Sequence, residues 1–204
     1  FNPGSAATRV LDQDGSVRNP CLADLRDFVV VTDYLENIEM QSTCLVPFDA
    51  PLDVRDCVRL YVVLKYSEKP VITGAFTVEG VKRMWRLLKA VSDRPVAVFD
   101  VCPSPPLRWG GVAARNLIDC ARLNLPIEII PMPQMGATAP VTVFGALIQA
   151  NAEFLSGLTL AQVVRRGVPV IYGGSPVLFE PRFGTPVTSS PEVFLLLTAY
   201  VELA

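Results

Sequence analysis

The residues that could do chemistry fall in five loops, at 40–44, 74–77, 99–108, 131–138 and 172–176. Asp100 stands two residues before Cys102 in "DVCPSPPLRW". Its carboxylate could attract a cation from a cavity wall, or cap the turn that follows a strand. Cys102 would be a nucleophile only as a thiolate, and no histidine exists anywhere in the chain to take its proton. The same absence excludes Ser-His-Asp and Cys-His catalysis and every imidazole-ligated metal site. In "PMPQMGAT", Met132, Gln134 and Met135 could line an apolar pocket with one polar contact, or pack beneath a loop. Phe76 and Tyr172 could be aromatic walls, whose faces favour quaternary ammonium groups, or ordinary core residues. Ser175 lies in "GGSP", Gly-rich enough for an anion but too short to be diagnostic. There is no G-x-G-x-x-G and no Walker loop, which argues against a nucleotide phosphate cradle.

Four proline-led runs would carry these loops: "KPVITGAF" from Pro70, "RPVAVFDV" from Pro95, "LPIEIIPM" from Pro126 and "VPVIYGGS" from Pro169. Proline is tolerated at the first residue of a strand, where no ladder bond is needed from it. Near-continuous apolar runs of this length mark strands of a parallel sheet. "NIEMQSTCL" at 37–45 is a weaker fifth candidate. Helical patterns lie between them at 22–35, 51–67, 77–92, 110–124, 139–166 and 191–203. Thr77 is expected to cap the third helix and Thr138 the long fifth one, with Gly136 allowing close approach in the preceding turn. Glu153, inside that long helix, is read as an internal support. The first twenty residues, with Asp14-Gly15, form a turn-rich arm or hairpin.

Helix-strand alternation of this kind implies an α/β domain of parallel (β/α) units spanning 1–204. The prolines are 25, 31 and 43 residues apart, one unit each. Five units fit this length, whereas a closed (β/α)8 barrel takes about 250 residues. The expectation is therefore a partial, unclosed barrel of TIM type with two free sheet edges. In such folds ligands meet the C-terminal ends of the strands, which selects Phe76, Asp100, Met132, Gln134, Thr138, Tyr172 and Ser175 as candidate substrate-binding residues.

Half of the 204 residues are apolar and the net charge is -2, so composition favours neither nucleic acid nor a membrane surface. The longest apolar tract, 140–165, contains Gln149, Asn151, Glu153 and Gln162 and reads as a buried helix. Five cysteines without a C-x-x-C pair read as reduced thiols, hence a cytoplasmic setting. The abrupt start at "FNPGSAATRVLD" reads as the interior of a longer chain.

The segment "PMPQMGATAPVTVFGALIQANAEFLSGLTLAQVVRRGVPVIYGGSP" resembles the trimethylamine methyltransferase family, the corrinoid-dependent methyltransferases of tertiary and quaternary amines. "RVLDQDGSVRNPCLADLRDF", "CPSPPLRW" and "TPVTSSPEVFLLLTAY" resemble other segments of that family in the same order. The resemblance implies a TIM barrel in a chain more than twice this length. It implies transfer of a methyl group from a methylated amine, such as glycine betaine or trimethylamine, to the cobalt of a corrinoid (cobalamin) supplied by a separate protein. No metal or cofactor is expected on this chain itself. One branch of the family carries pyrrolysine, and none is written in 1–204. A homo-oligomer is expected, and the rival reading is an incomplete barrel serving as an assembly module through its free edges. A Schiff-base aldolase fits poorly, since no lysine lies at a strand end after Lys69.

Overall fold

The computed structural model describes all residues from 1 to 204. A short hairpin, β1 (Val10–Leu11) and β2 (Val17–Arg18), opens the chain. Its turn works as the sequence suggests: Gly15 has φ +84°, and its N–H donates to Asp12 O at 3.0 Å. There follow α1 (Leu22–Tyr34), β3 (Gln41–Ser42), α2 (Arg55–Tyr66), β4 (Val71–Thr73), α3 (Gly80–Val91) and β5 (Ala97–Val101). The second half contains α4 (Gly111–Leu123), β6 (Ile127–Ile129), β7 (Gln134–Met135) and α5 (Val143–Val164). It ends with β8 (Val170–Tyr172), β9 (Val177–Glu180), β10 (Thr185–Val187) and α6 (Pro191–Glu202).

The strand order β3-β4-β5-β6-β8 makes one five-stranded parallel sheet that does not close on itself. All five expected strands are present, each starting within two residues after its proline where one leads it. A second, three-stranded sheet, β10-β9-β7, was not expected from the apolar pattern. Its strands alternate too weakly to declare themselves; only Val177 and Met135 in them are buried.

Two compact units divide the chain, Phe1–Phe99 and Asp100–Ala204, with the boundary inside β5. In the first unit, Val71, Thr73, Ala97 and Phe99 are buried, while Ile72 and Val98, paired in register, are only half-buried. In the second, Ile127 and Ile129 are buried, while Glu128 and its partner Ile171 point to the opposite, open face. The buried face is the one covered by helices: Tyr172, opposite Ile129 in register, has its ring 4.1 Å from that of Phe154 on α5.

Of the two sheet edges expected to be free, the first is taken. Residues 1–8 run beside β3, with Ala7 N donating to Cys44 O at 2.8 Å and Val46 N to Ala7 O at 2.9 Å. This covers backbone groups that would otherwise invite pairing with another chain. The β8 edge remains, with Ile171 exposed on it.

Three local expectations change. The cap position of the third helix is Glu79, not Thr77, because Thr77 is drawn to Asp56: its N–H and hydroxyl both reach Asp56 Oδ2, at 3.1 and 2.9 Å. The long helix is capped by Thr142, whose hydroxyl accepts from Gly145 N, four residues later than expected. Gly136 is required by its φ of +87°, not by close approach, since an added Cβ would lie 3.9 Å from its nearest neighbour.

Helix α5 is 22 residues long and apolar enough to span a membrane by length and composition. Its buried stripe of Ala146, Ala150, Glu153, Phe154, Gly157 and Ala161 recurs at helical spacing, and it packs on α4 and α6. It is a core helix of its unit.

Candidate functional site

Within the second unit, β5 and β6 end side by side, with Ile130 N donating to Val101 O at 3.0 Å. Asp100 and Glu128 stand on these strands, and their side chains are hydrogen-bonded to one another. Two carboxyl groups can share a hydrogen bond only when a proton lies between them. Burial raises Glu128 above the ordinary carboxyl range, with the Asp100 bond partly opposing that shift.

Gly173, just past β8, makes room for the pair. A Cβ built there would meet Glu128 Cγ at 2.7 Å and Ile129 O at 2.9 Å. The "GGSP" turn thus faces a carboxyl, which counts against an anion at Gly173. Cys102 lies near the same charges: burial pushes its thiol up to about 11, and Asp100 and Glu128 add to the rise. It remains a neutral thiol, as expected for a chain without histidine.

The other candidates divide. Gln134 begins β7 and closes a tight turn, its N–H donating to Thr138 Oγ1 at 2.9 Å and its carbonyl accepting from Ala137, Thr138 and Ala139. Met132 is 46% exposed, whereas Met135 is a core residue packed with Ala146 and Leu196. Ser175 is brought to the 131–134 segment by its own N–H, which donates to Pro131 O at 3.0 Å. Tyr172 turns to the helix side: its hydroxyl donates to Asn151 Oδ1 at 2.9 Å, and its ring lies 4.7 Å from Tyr200. Tyr200 in turn donates to Gly173 O at 2.9 Å, so the aromatic cluster fixes the glycine turn beside Glu128 from behind.

Glu153 is 1% exposed and bridges α5 to the loop after β5. Its Oε1 accepts from Leu107 N and Gln149 Nε2, both at 2.9 Å, while Oε2 is buried without a partner. Trp109 Nε1 donates to Ser156 Oγ at 3.0 Å a turn further along. These contacts hold the loop that follows Asp100 and Cys102.

Within the first unit, Phe76 lines a cavity of about 560 Å³ together with Thr8, Val46, Leu52, Arg55 and Thr77. The ring already has a protein cation on it, since the Arg59 guanidinium lies 4.8 Å from its centroid. Arg59 is 1% exposed and donates to Leu45 O and Thr43 O. Asp56 Oδ2 accepts from Phe76 N and Thr77 N at 3.0 and 3.1 Å, fixing the loop at the end of β4.

Sequence reasoning missed Glu128, Gly173, Arg55 and Arg59. Glu128 had a visible signal, a single charge at the centre of the apolar run "PIEII". The two arginines sit on a helix of mixed charge, where nothing separates a buried guanidinium from a solvated one. No group of three or more acidic, Cys or His side chains could hold a metal ion.

A family model described as trimethylamine methyltransferase (MTTB) matches residues 1–204. The chain belongs to that family. Among curated relatives, it is 30% identical over 215 residues to the glycine betaine methyltransferase of Desulfitobacterium hafniense (strain Y51), covering 100% of this chain and 44% of the relative. It is 30% identical over 190 residues to the trimethylamine methyltransferase MttB of Methanosarcina thermophila, covering 89% and 39%. The corresponding MttB of Desulfitobacterium hafniense (strain DSM 10664 / DCB-2) is 27% identical over 190 residues, covering 88% and 38%. The chain thus spans less than half the length of these family members.

Proposed function

We propose that this chain is part of a TIM-barrel methyltransferase that moves a methyl group from a methylated amine to the cobalt of a corrinoid. The amine is of the quaternary class exemplified by glycine betaine, with trimethylamine as the tertiary alternative. The corrinoid is the acceptor substrate, carried by a separate cytoplasmic protein. The family match supports methyl transfer from methylated amines. The observation that carries the site assignment is the Asp100–Glu128 pair on the sheet face that the helices leave open.

A quaternary ammonium has no N–H to donate, so its recognition rests on net charge and contact rather than on hydrogen-bond direction. The Asp100–Glu128 pair supplies carboxyl groups to answer that charge. From a quaternary ammonium the amine leaves neutral, so no general acid is required, whereas trimethylamine must carry a proton on nitrogen to leave as a neutral amine; the reduced cobalt of the acceptor supplies the nucleophile. What the chain contributes is position: a cation held still and kept dry is most of the barrier that a displacement of this kind needs lowered. Met132, Gln134, Thr138 and Ser175 frame the adjoining turn, and Tyr172 and Tyr200 hold its glycines from the helix side.

The test is methyl transfer by the full-length protein to a reduced corrinoid protein, with glycine betaine and trimethylamine compared. Asp100→Ala is expected to lower kcat/KM roughly 10- to 100-fold, the worth of one interaction with a charged group. Unchanged turnover in that variant removes the pair from the site, and no transfer from either amine in the wild type sinks the activity itself. A homo-oligomer belongs to the same proposal, whereas pairing through a free β8 edge belongs to the rival reading of an incomplete barrel acting as an assembly module; size-exclusion chromatography of the full-length protein reads the oligomer directly.

A further inference from the structure

Helix α5 buries one stripe of side chains in its unit and leaves a second one in solvent. The outer stripe is Phe144, Ile148, Ala152, Leu155, Thr159 and Val163. Its large side chains range from 46% exposed at Leu155 to 79% at Val163. Successive members are four, four, three, four and four residues apart, which is an eleven-residue repeat. Eleven residues take three turns at about 3.67 per turn, so the stripe runs nearly straight along a helix about 33 Å long. Apart from the buried Glu153, no charged residue stands between 141 and 164. A helix that is apolar on every side is ordinarily covered on every side. Here α4 and α6 pack on α5, and β6 and β7 lie against it, so the outer stripe is the side left without a partner.

The sizes along the stripe match a second copy of itself. Turned end for end about a point between residues 153 and 154, Ala152 comes level with Leu155, Ile148 with Thr159, and Phe144 with Val163. At each level a larger side chain meets a smaller one, which lets two such stripes interdigitate. A two-fold pair sets every residue against its own surface, and an uncharged stripe brings no like charges together there. On α6, Phe194, Leu195 and Val201 are exposed as well. The outer sides of the two helices amount to roughly 500 Å² per copy, or about 1,000 Å² in a pair, by helix length and width. A specific interface begins at about that area. A lipid surface suits the stripe less, since no Lys or Arg lies within 141–164 to hold headgroups. Further (β/α) units would extend the sheet beyond β8, not lie over the outer side of α5. We propose that α5 is a two-fold interface between copies of this chain, packed antiparallel through this stripe. The proposal rests on the homo-oligomer of the functional reading, to which it gives a surface, and not on methyl transfer.

Analytical ultracentrifugation of the full-length protein tests this, with the wild type, Ala152→Glu, Leu155→Arg and an equal mixture of the two variants. The wild type is expected as a dimer or an even-numbered assembly. Either variant alone sets a charge level with an apolar side chain twice in each pair, which should weaken association roughly 100-fold or more and halve the mass. In a mixed pair the new carboxylate comes level with the new guanidinium, and Leu155 keeps Ala152 opposite it, so mixing is expected to restore the wild-type mass. Both positions are exposed, and circular dichroism should show equal helix content in both variants. A monomeric wild type overturns this proposal and the oligomer of the functional reading together. A mass that survives in both variants keeps that oligomer and overturns the stripe as its interface, whether the stripe then proves to bind vesicles, the corrinoid protein or another segment of the full-length chain. Dissociation of both variants without recovery on mixing overturns the antiparallel register.

Discussion

The two units both build on parallel strands, and the charged groups beside their strand ends differ in kind. In the first, two guanidinium groups and one carboxylate stand beside the strand ends: Arg59, completely buried against backbone carbonyls, Arg55, tethered to a loop, and Asp56, held by the N–H groups of Phe76 and Thr77. In the second they are carboxyl: Asp100 and Glu128 on the strands themselves. The difference is also one of depth. Arg59 is part of the foundation, holding the β3 loop by its carbonyls, whereas Asp100 and Glu128 are half-buried on the sheet face opposite the helices, with Asp100 Oδ1 itself buried. A charge fully withdrawn from water is retained by its partners and is costly to remove, while one at an open face can serve an incoming ligand.

The comparison predicts unequal effects on stability. Arg59→Met removes two charge-assisted bonds to buried carbonyls and should cost roughly 3 kcal/mol in denaturant unfolding. Asp100→Asn, at a half-buried position, should cost less than Arg59→Met in the same measurement. If the two variants lose equal stability, the contrast in depth is wrong. Gly173→Val comes next: with Glu128 Cγ at 2.7 Å from the new Cβ, overpacking should cost roughly 1–3 kcal/mol and displace the carboxyl. Activity should fall further than stability explains.

Glu153 sharpens the point from inside the second unit, because it is a buried carboxylate with one unsatisfied oxygen. Glu153→Ala strands the Leu107 N–H and should cost about 2–3 kcal/mol. Glu153→Gln keeps the accepting oxygen and should change stability by less than about 1 kcal/mol. A large loss in Glu153→Gln would mean that the charge itself, not the acceptor, holds the loop.

The smallest expected effect is on pH dependence. Glu128 is raised by burial, so the folded chain binds its proton more tightly than the unfolded chain does. Its contribution to stability is full below the unfolded carboxyl value and is lost as pH rises through the higher folded value. Glu128→Gln should therefore flatten the decline in stability across that window. A variant whose profile rises with pH more shallowly than the wild type would reverse the sign and remove burial as the cause.

The strands were legible because proline marks their starts and apolar runs their length; Pro70, Pro126 and Pro169 each stand directly before a strand. The helix starts were less so. Thr77 and Thr138 are both good caps by type, but Asp56 and Gln134, distant or in a turn, offered them better partners. Asp100 could be picked out because it ends a strand; Glu128 could not be joined to it, since 28 residues separate them and only sheet pairing brings β5 beside β6. Tyr172 stands on the helix side of the sheet, a placement that a period of two could not give before the register was known. The small sheet β7-β9-β10 and the arm beside β3 depend on backbone pairing with little side-chain pattern, and such pairing leaves no mark in composition.

The central claim is that the open-face carboxyl pair, and not the first unit, recognises the methylated cation. The direct measurement is titration of the full-length protein with tetramethylammonium, in the wild type, in Asp100→Asn combined with Glu128→Gln, and in Arg55→Gln. The account predicts that the double variant weakens the cation roughly 10- to 100-fold and that Arg55→Gln leaves it unchanged. Unaltered affinity in the double variant, or a loss confined to Arg55→Gln, would contradict it.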